Sequence, residues 1–365
     1  MASSSDPFAA VSQQMEAFFT AQRAQTGSYG AEADRMMDAA AAAVTGGKRL
    51  RARFCITGYR AVVEASEPTS APIPDAVIGA AGALEVFHAA ALVHDDIIDN
   101  SDTRRGRPSA HRRIESAHEA AGWSGDAVAF GRAGALLLGD LLVALSDDLL
   151  EHALSGTSLE IAASTRSQYG MMRRDVTIGQ FLDIAEESAH ATAPDAEHAE
   201  RALRVASLKS ARYSVEQPLL IGARLAGADE AQLEALSRFG HPVGMAFQLR
   251  DDVLGVFGDA SETGKPAGDD LREGKRTVLI AYAREALPAS TRALVDELLG
   301  DPTLDHAQVA SLQRTIQDTG ALDRVEQLIA DYTRDADRAL AGARLGHAAV
   351  SELRDLARAA VVRSS

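Results

Sequence analysis

Two of the acid pairs in this sequence each follow an apolar run and precede a turn-rich loop with basic residues. Residues 94–99 read HDDIID, so Asp95 and Asp99 are four positions apart, and residues 250–255 read RDDVLG. On a helix, side chains four apart share a face, where two like charges repel unless a cation lies between them. Carboxylates with room for water and phosphate are the ligands that Mg²⁺ prefers. The first pair therefore predicts a magnesium site, with a solvated acidic helix end as the alternative.

The surroundings of the first pair favour the magnesium site. Acids at a helix C-terminus oppose the helix dipole, so a purely structural role there is poorly motivated. The neighbours Leu92, Val93, Ile97 and Ile98 are apolar, which predicts that the acids face a cavity. The second pair, Asp251 and Asp252, is a weaker signal because Gly255 stands where the third acid would be.

Basic residues accompany both acid clusters. Residues 46–51 read GGKRLR, which puts Lys48 and Arg51 three apart, on one face if a helix begins here. The two glycines allow close backbone approach and a helix N-terminus open to an anion, whereas the alternative is a solvated helix start. Further basic residues follow the acids: Arg104, Arg105, Lys265 and Lys275. Arg favours bidentate phosphate contacts and Lys acts as a mobile point charge, so the set predicts diphosphate binding.

Composition limits the other function classes. The 365 residues carry a formal charge of −15, which argues against a nucleic-acid partner. The single cysteine, Cys55, excludes an internal disulfide and fits a reducing compartment. The N-terminus lacks the basic start and apolar run of a signal peptide, and the most apolar segment, 133–145, is interrupted by Asp140 and too short to span a bilayer. We therefore expect a cytoplasmic protein without a membrane span.

The elements that must position these residues are helical. Apolar residues recur at three- and four-residue spacing almost throughout, without the two-residue alternation of a sheet. The pattern predicts one all-α domain over residues 31–365, preceded by a poorly patterned segment, 1–30. The repeated order of apolar helix, paired acids and basic loop predicts two half-sites facing across the cavity of a helical bundle.

Six short motifs together resemble the polyprenyl synthetases, the trans-isoprenyl diphosphate synthases. They are GGKRLR at 46–51, HDDIID at 94–99, DTRRG at 102–106, GQ at 179–180, FQLRDD at 247–252 and TGKP at 263–266. The resemblance runs in order from about residue 46 to residue 277 and is most like the bacterial geranylgeranyl diphosphate synthases. It implies an all-α single-domain bundle around a deep central cavity, usually as a homodimer.

The resemblance also implies a role for each matching residue. The Mg²⁺ ligands, for about three ions per site, would be Asp95, Asp99 and Asp251, with Asp96 and Asp252 as supporting acids. Isopentenyl diphosphate would be bound by Lys48, Arg51, His88 and Arg105. The allylic diphosphate site would comprise Arg104, Lys209, Ser210, Gln248, Lys265 and Lys275. The cavity wall would carry Gln180 and Asp183. Taken alone, His88 is more typical of a buried core histidine, and only its place seven residues before Asp95 indicates a site.

The sequence departs from the family pattern at two positions. Gly255 replaces the last acid of the second motif, and Ser210 stands where Thr is frequent. Ser210 keeps the hydroxyl. In related enzymes the first Asp of the second motif makes the direct metal contact, so we expect Gly255 to be tolerated, and an aspartate introduced there to be active.

The resemblance implies ionisation of an allylic diphosphate and attack by the double bond of isopentenyl diphosphate. Two alternatives remain open: a terpene cyclase, which needs no second diphosphate site, and a non-catalytic subunit of a heteromeric prenyltransferase, which the loss of an acid at Gly255 would favour. Lys48, Arg51 and Arg105 speak against the first, and the retained acids and lysines against the second. Activity with Mg²⁺, isopentenyl diphosphate and each allylic primer separates these possibilities.

Product length is predicted from the residues before Asp95. At 1.5 Å per residue, side chains four and five positions earlier lie about 6 to 7.5 Å deeper along the helix. These are Ala91 and Ala90, whose methyl groups are too small to close a channel. Phe87, about one turn further, is the candidate floor of the channel, with packing from a neighbouring helix as the alternative. In the resembling family, bulky aromatics here stop growth at fifteen carbons. We therefore expect a product of at least twenty carbons, with the close packing of helices as the alternative reason for the alanines.

Overall fold

The structure is a computed structural model that describes residues 6–66, 71–104, 106–258 and 268–361. It is 80% helical, which confirms the all-α prediction. The contacts divide the chain into two compact units. The first contains residues Met1–Tyr59 and Thr69–Ala163, and the second contains Arg60–Pro68 and Ser164–Ser365. The single-domain organisation stays a prediction.

The first unit is built around two long apolar helices. Its elements are α1 (Pro7–Thr26), α2 (Ala31–Ala43), most of α3 (Leu50–Val63), α4 (Asp75–Ile98), β1 (Thr103–Arg104), β2 (Arg107–Pro108), α5 (Ala110–Ala120), α6 (Ala127–Leu154) and the start of α7 (Leu159–Ala189). The two strands form an antiparallel ribbon, a detail that helical periodicity cannot indicate.

Helix α1 lies in the segment for which the sequence showed no clear pattern. Asp6 caps it by accepting a hydrogen bond from the backbone N–H of Phe8, and Pro7 occupies the first turn. Its buried residues Val11, Met15 and Phe19 are spaced by four, so the helix does have one apolar face. That apolar face is narrow, which explains why the helical periodicity of this segment is weak in the sequence.

Helix α4 is buried along most of its length and packs against α1 and α6. Glycines permit the close approach. A Cβ at Gly79 would lie closer than 3.0 Å to the Ala153 side chain, and one at Gly82 would press against Leu149 and Met15. The N-terminal half of α4 is therefore held by a tightly packed core.

The second unit contains the rest of the chain. Its elements are most of α7, α8 (His198–Val205), a π-helix (Ala206–Glu216), α9 (Gln217–Leu225), α10 (Glu230–Phe257), α11 (Asp269–Glu273), α12 (Val278–Ala286), α13 (Ala289–Leu298), α14 (His306–Asp318), α15 (Ala321–Ala339) and α16 (His347–Val361), with short 3₁₀ turns at His190–Thr192 and Asp195–Glu197. Capping boxes begin α10 at Asp229 and α14 at Asp305. The core joins α10 to the helices that follow it through residues such as Leu249, Val256 and Leu279.

Two helices, α4 and α6, are long and apolar enough by length and composition to cross a membrane. In their most apolar windows, 78% of the residues of α4 and 33% of those of α6 are buried inside the protein. The difference marks α6 as a helix with a substantial exposed apolar surface.

Candidate active site

The first acid motif lies at the C-terminal end of α4. Asp99 caps the helix, and its backbone N–H donates to the Asp95 carbonyl at 2.8 Å. Asp95 and Asp99 are both partly exposed, and the partly exposed positions His88 and Ala91 precede Asp95 at spacings of seven and four. These four residues form one accessible stripe of α4, as the helical spacing predicts.

Asp96 belongs to a different face and has a different environment. Its side chain is only 4% exposed, and its carboxylate accepts from the Nε of Arg104 at 2.8 Å. Burial raises the pKa of Asp96, although the hydrogen bond and charge of Arg104 oppose the increase. Arg104 also donates from Nη2 to Asp95 at 3.2 Å. Asp96 thus holds Arg104 beside the acid motif.

The loop before α3 differs from the expected helix start. Helix α3 begins at Leu50, whereas Lys48 lies in a loop with left-handed conformations at Gly46, Gly47 and Arg49. The prediction that Lys48 and Arg51 share a helix face is therefore wrong. Lys48 is exposed on a loop, while Arg51 is in the first turn of α3.

The N-terminus of α3 is not open to an anion in the way that the sequence predicted. The backbone N–H of Ala52 donates to the buried carboxylate of Glu85 at 3.0 Å. The sequence did not predict this contact, in which a protein carboxylate accepts the hydrogen bond of an amide in the first helical turn. An acid within the otherwise apolar run of α4 was the available signal. The amide of Ala52 is therefore not available to an anion, and the role of Lys48 and Arg51 in diphosphate binding stays a prediction.

A surface cavity of about 490 Å³ adjoins the same loop. Lys48, Arg49 and Arg53 line it together with the start of α1. The guanidinium of Arg53 lies 4.2 Å from the centre of the Phe8 ring and donates from Nε to the Lys48 carbonyl at 3.2 Å. Arg53, which the motif analysis passed over, thus fixes the loop that carries Lys48.

In the second unit, the π-helix positions Lys209. Its Nζ lies 2.5 Å from an oxygen of Asp183 on α7, so two predicted site residues are in direct contact. The neighbouring Gly179 packs against the backbone of the π-helix, where a Cβ would lie closer than 3.0 Å to the Lys209 nitrogen. This explains the glycine of the GQ motif, since the wide π-helix leaves no room for a side chain. Gln180, which follows Gly179 in the sequence, and Ser210, which follows Lys209, are both partly exposed.

The acids of the second motif have contrasting environments on α10. Asp251 is exposed, whereas Asp252 is buried and accepts from the side-chain amide of Gln248 at 2.7 Å. Burial raises the pKa of Asp252 well above its usual range, and the nearby charges of Asp270, Asp251 and Asp183 add to the increase. Gln248, predicted to shape the allylic site, therefore orients a buried acid in this structure.

Gly255 does not leave an empty space where the missing acid would project. A Cβ at this position would lie closer than 3.0 Å to both oxygens of Asp270, on α11. The expectation that an aspartate at position 255 is tolerated stays a prediction, and such a side chain would have to share this place with the end of the Asp270 side chain. Asp270 itself was missed; it follows Asp269 in a second acid pair five residues before Lys275. The Nζ of Lys275 lies 3.8 Å from an Asp270 oxygen.

The three residues that the sequence predicts to set the length of the product differ in their exposure. Ala91 is partly exposed on the stripe of Asp95, whereas Ala90 is fully buried and Phe87 is 6% exposed. Ala90 therefore contributes to packing in this structure, and only Ala91 borders accessible space. Arg105 and Lys265, predicted to bind the two diphosphates, lie outside the described residues.

The accessible acids of the first motif are better suited to Mg²⁺ than to a metal ion whose ligands all come from the protein. Among the residues that the structure describes, no group of three or more His, Cys, Asp or Glu side chains is arranged to hold a metal ion. Zinc sites usually need three or four such ligands. Mg²⁺ is usually bound by one or two carboxylates with substrate phosphates and water. The carboxylates of Asp95 and Asp99, four residues apart on an accessible stripe, suit that second arrangement.

A comparison with protein families decides the identity. Residues 33–316 match the model of the polyprenyl synthetase family. The chain belongs to this family. As a polyprenyl synthetase it is a trans-prenyltransferase, and the family substrates are isopentenyl and allylic diphosphates.

Similar proteins differ in the product that they are named for. The chain is 30% identical over 264 residues to the short chain isoprenyl diphosphate synthase of Methanocaldococcus jannaschii, covering 72% of this polyprenyl synthetase and 70% of that protein. It is also 30% identical over 299 residues to the nonaprenyl diphosphate synthase of Mycobacterium tuberculosis, covering 81% and 77% of the two chains. A crystal structure of geranylgeranyl pyrophosphate synthase from Corynebacterium glutamicum, complexed with isoprenyl diphosphate and magnesium, is 37% identical, has a TM-score of 0.90 and covers 98% of each chain.

Proposed function

We propose that this polyprenyl synthetase catalyses the Mg²⁺-dependent head-to-tail condensation of isopentenyl diphosphate with allylic diphosphates, giving geranylgeranyl diphosphate or a somewhat longer all-trans product. The observation that carries the product length is Ala91, a methyl side chain on the accessible stripe one turn before Asp95. An aromatic side chain is absent at the position where a growing tail would pass. The similar structure from C. glutamicum, a geranylgeranyl pyrophosphate synthase, supports the same length.

The proposed roles follow from the contacts of each residue. Asp95 and Asp99 of the first unit, and Asp251 of the second, would hold Mg²⁺, which would supply positive charge to balance the charge developing on the allylic diphosphate as its carbon–oxygen bond breaks. Arg104 is held in place by Asp96, and Lys209 by Asp183, so both cations are oriented toward anions before substrate arrives. When substrate binds, Arg104 and Lys209 would each exchange the contact with a protein carboxylate for contacts with diphosphate oxygens.

Isopentenyl diphosphate would be bound by Lys48, Arg51, His88 and Arg105. Its double bond attacks the allylic carbon, a carbon–carbon bond forms, and a proton is lost from the condensed product to the departing diphosphate. Positioning of the two substrates removes much of the entropic barrier. Lys48 lies on a glycine loop, so its ammonium can follow the diphosphate, whereas Arg51 is fixed in the first turn of α3.

One experiment tests this function directly. The purified chain is incubated with isopentenyl diphosphate and, in turn, dimethylallyl, geranyl or farnesyl diphosphate, with Mg²⁺ or with excess EDTA. We expect Mg²⁺-dependent products of twenty or more carbons by mass spectrometry. Cyclic hydrocarbons formed from the allylic diphosphate alone would indicate a cyclase, and no turnover with any primer would indicate a non-catalytic subunit. Either result would reject the proposal.

We further propose that the active form is a cytoplasmic homodimer. Helix α6 exposes the adjacent side chains Leu136 and Leu137 by 52% and 60%, and Ala133 extends the same exposed surface. Large exposed apolar residues grouped on one helix favour a partner surface. A second copy of this chain would cover them, and it would also account for the low burial of an apolar helix of this length.

A further inference from the structure

Gly255 and Asp270 share one place in the second unit. Gly255 is four residues after Asp251 on α10, so a side chain there would lie over the same face as Asp251. The carboxylate of Asp270 occupies that place, because a Cβ at Gly255 would approach both of its oxygens and their carbon more closely than 3.0 Å. The position of the missing acid therefore contains a carboxylate that comes from another element.

The short helix α11 holds Asp270 firmly. Leu271, the next residue, is 1% exposed and packs in the core of the unit. Gly268 and Gly274 bracket the helix with left-handed backbone conformations, φ 73° and 78°, which allow the tight turns at both ends. The backbone N–H of Lys275 donates to the Asp270 carbonyl at 3.1 Å. These contacts fix the backbone from which the Asp270 side chain projects.

The neighbours of Asp270 belong to the proposed diphosphate site. Asp252 lies close enough to feel its charge, and the Lys275 ammonium is 3.8 Å from its Oδ1. Asp270 thus lies between the second acid pair and a lysine that the motifs assign to the allylic diphosphate. A carboxylate needed only for packing would not have to lie among two acids, since like charges oppose this arrangement.

We infer that Asp270 supplies the carboxylate that Gly255 lacks and completes, with Asp251, the second Mg²⁺–diphosphate site. This inference rests on the proposed function. It also gives Gly255 a positive role: the glycine leaves room for an acid that reaches the site from α11. A side chain at position 255 would displace Asp270.

The test moves the carboxylate between the two positions. The variants are Asp270→Asn, Gly255→Asp and the double variant Gly255→Asp/Asp270→Gly. The matched control is Asp269→Asn, which changes the adjacent acid of the same helix. Isothermal titration calorimetry measures Mg²⁺ binding in the presence of saturating inorganic pyrophosphate, and the Mg²⁺ concentration for half-maximal rate is measured separately. Circular dichroism and the Tm establish that each variant is folded.

We expect Asp270→Asn to weaken Mg²⁺ binding about 10- to 100-fold, as loss of a carboxylate near a metal typically does. Gly255→Asp alone should be impaired because two carboxylates compete for one place. The double variant should recover most of the lost affinity, and Asp269→Asn should bind Mg²⁺ like the original chain. Unchanged Mg²⁺ binding in folded Asp270→Asn, or no recovery in the double variant, would overturn the inference. If the unmodified chain forms no prenyl product, the proposed function itself fails, which is a different outcome.

Discussion

Single side chains in the first acid motif differ in what they contribute. Asp96 is buried and bound to Arg104, whereas Asp95 and Asp99 remain partly exposed on one stripe of α4. Like-charge repulsion on that stripe is reduced by the contact of Arg104 with Asp95. The motif is therefore an acid pair plus an anchor for a cation, rather than three equivalent carboxylates.

Asp95→Ala should lower kcat/KM about 100- to 1,000-fold, because it removes a group that stabilises developing charge. The Tm should change little, because the substitution relieves the repulsion between Asp95 and Asp99, and Arg104 keeps its contact with Asp96. Steady-state kinetics and thermal unfolding measure the two effects. Asp148→Ala, which changes an exposed acid on α6, should leave both unchanged. Near-normal turnover of Asp95→Ala would reject the proposed metal site.

Ala91→Phe should shift the main product toward farnesyl diphosphate, because the ring would enter the accessible space one turn before Asp95. The unmodified chain should make products of at least twenty carbons, and Ala91→Leu should give an intermediate distribution. Product masses after incubation with dimethylallyl diphosphate measure the shift. An unmodified chain that stops at fifteen carbons would show that the tail passes elsewhere. Phe87→Ala should lengthen the product, at some loss of stability because Phe87 is buried.

At the scale of elements, the π-helix is accommodated by glycines on both neighbouring helices. Gly179 on α7 lies against the Lys209 backbone, and Gly244 on α10 lies against the Ala211 backbone. A π-helix has a wider backbone than an α-helix and is frequent at functional sites. Here the widened turn carries Lys209 to Asp183, so helix packing and site geometry depend on the same glycines.

Gly179→Ala should destabilise the fold by about 1–3 kcal/mol through overpacking and should lower kcat by displacing Lys209. Gly170→Ala is the matched control, because it lies on the same helix and an added Cβ there would meet open space. That change should stabilise the protein by up to about 1 kcal/mol. Urea unfolding and steady-state kinetics compare the variants. Equal effects of the two substitutions would contradict the role assigned to Gly179.

Asp296 on α13 joins two buried arginines and predicts a pH dependence. It accepts hydrogen bonds from Arg276 at 2.6 Å and from Arg284 at 2.8 Å. Burial alone would raise the pKa of Asp296, but the two arginines lower it below 3.8. Because the pKa of Asp296 is lower in the folded state, its contacts with the two arginines stabilise the folded protein fully above pH 3.8. This stabilisation is lost as the pH falls through the folded-state pKa of Asp296.

Asp296→Asn should therefore destabilise the protein by about 1–3 kcal/mol at pH 7, because Arg276 loses its carboxylate partner and Arg284 keeps only the contact with Asp195. The difference from the unmodified chain should stay constant down to about pH 4 and shrink below it. Urea unfolding at a series of pH values measures the difference. A constant difference at the most acidic values would show that the charge of Asp296 is not its stabilising feature.

At the scale of the whole molecule, the exposed face of α6 is the feature that a single chain leaves unexplained. We expect Leu136→Glu/Leu137→Glu to convert a dimer into a monomer, because the charges would be buried without partners at the interface. Leu294→Glu, at another exposed leucine on α13, is the control and should stay dimeric. Light scattering after size-exclusion chromatography measures the mass. A monomeric unmodified chain would reject the homodimer proposal.

The sequence alone determined the all-α class, the family and the identity of most proposed site residues. These depend on local regularities: the 3.6-residue helical repeat places Asp95, Ala91 and His88 on one stripe, and ordered motifs indicate the family without coordinates. Secondary structure within α4 and α10 was predictable for the same reason. The narrow apolar face of α1 was too weak a signal.

Only the tertiary structure decided which groups the site residues contact. Glu85 binds the amide of Ala52, Arg104 binds Asp96, and Asp270 fills the place beside Gly255. Each contact joins residues from different elements, and the turns and loops between them set the geometry. Helical periodicity constrains neighbours within about one turn but carries no information on where a loop returns the chain. For this reason the sequence identified an acid missing at position 255, and the fold identified the carboxylate that lies beside that position.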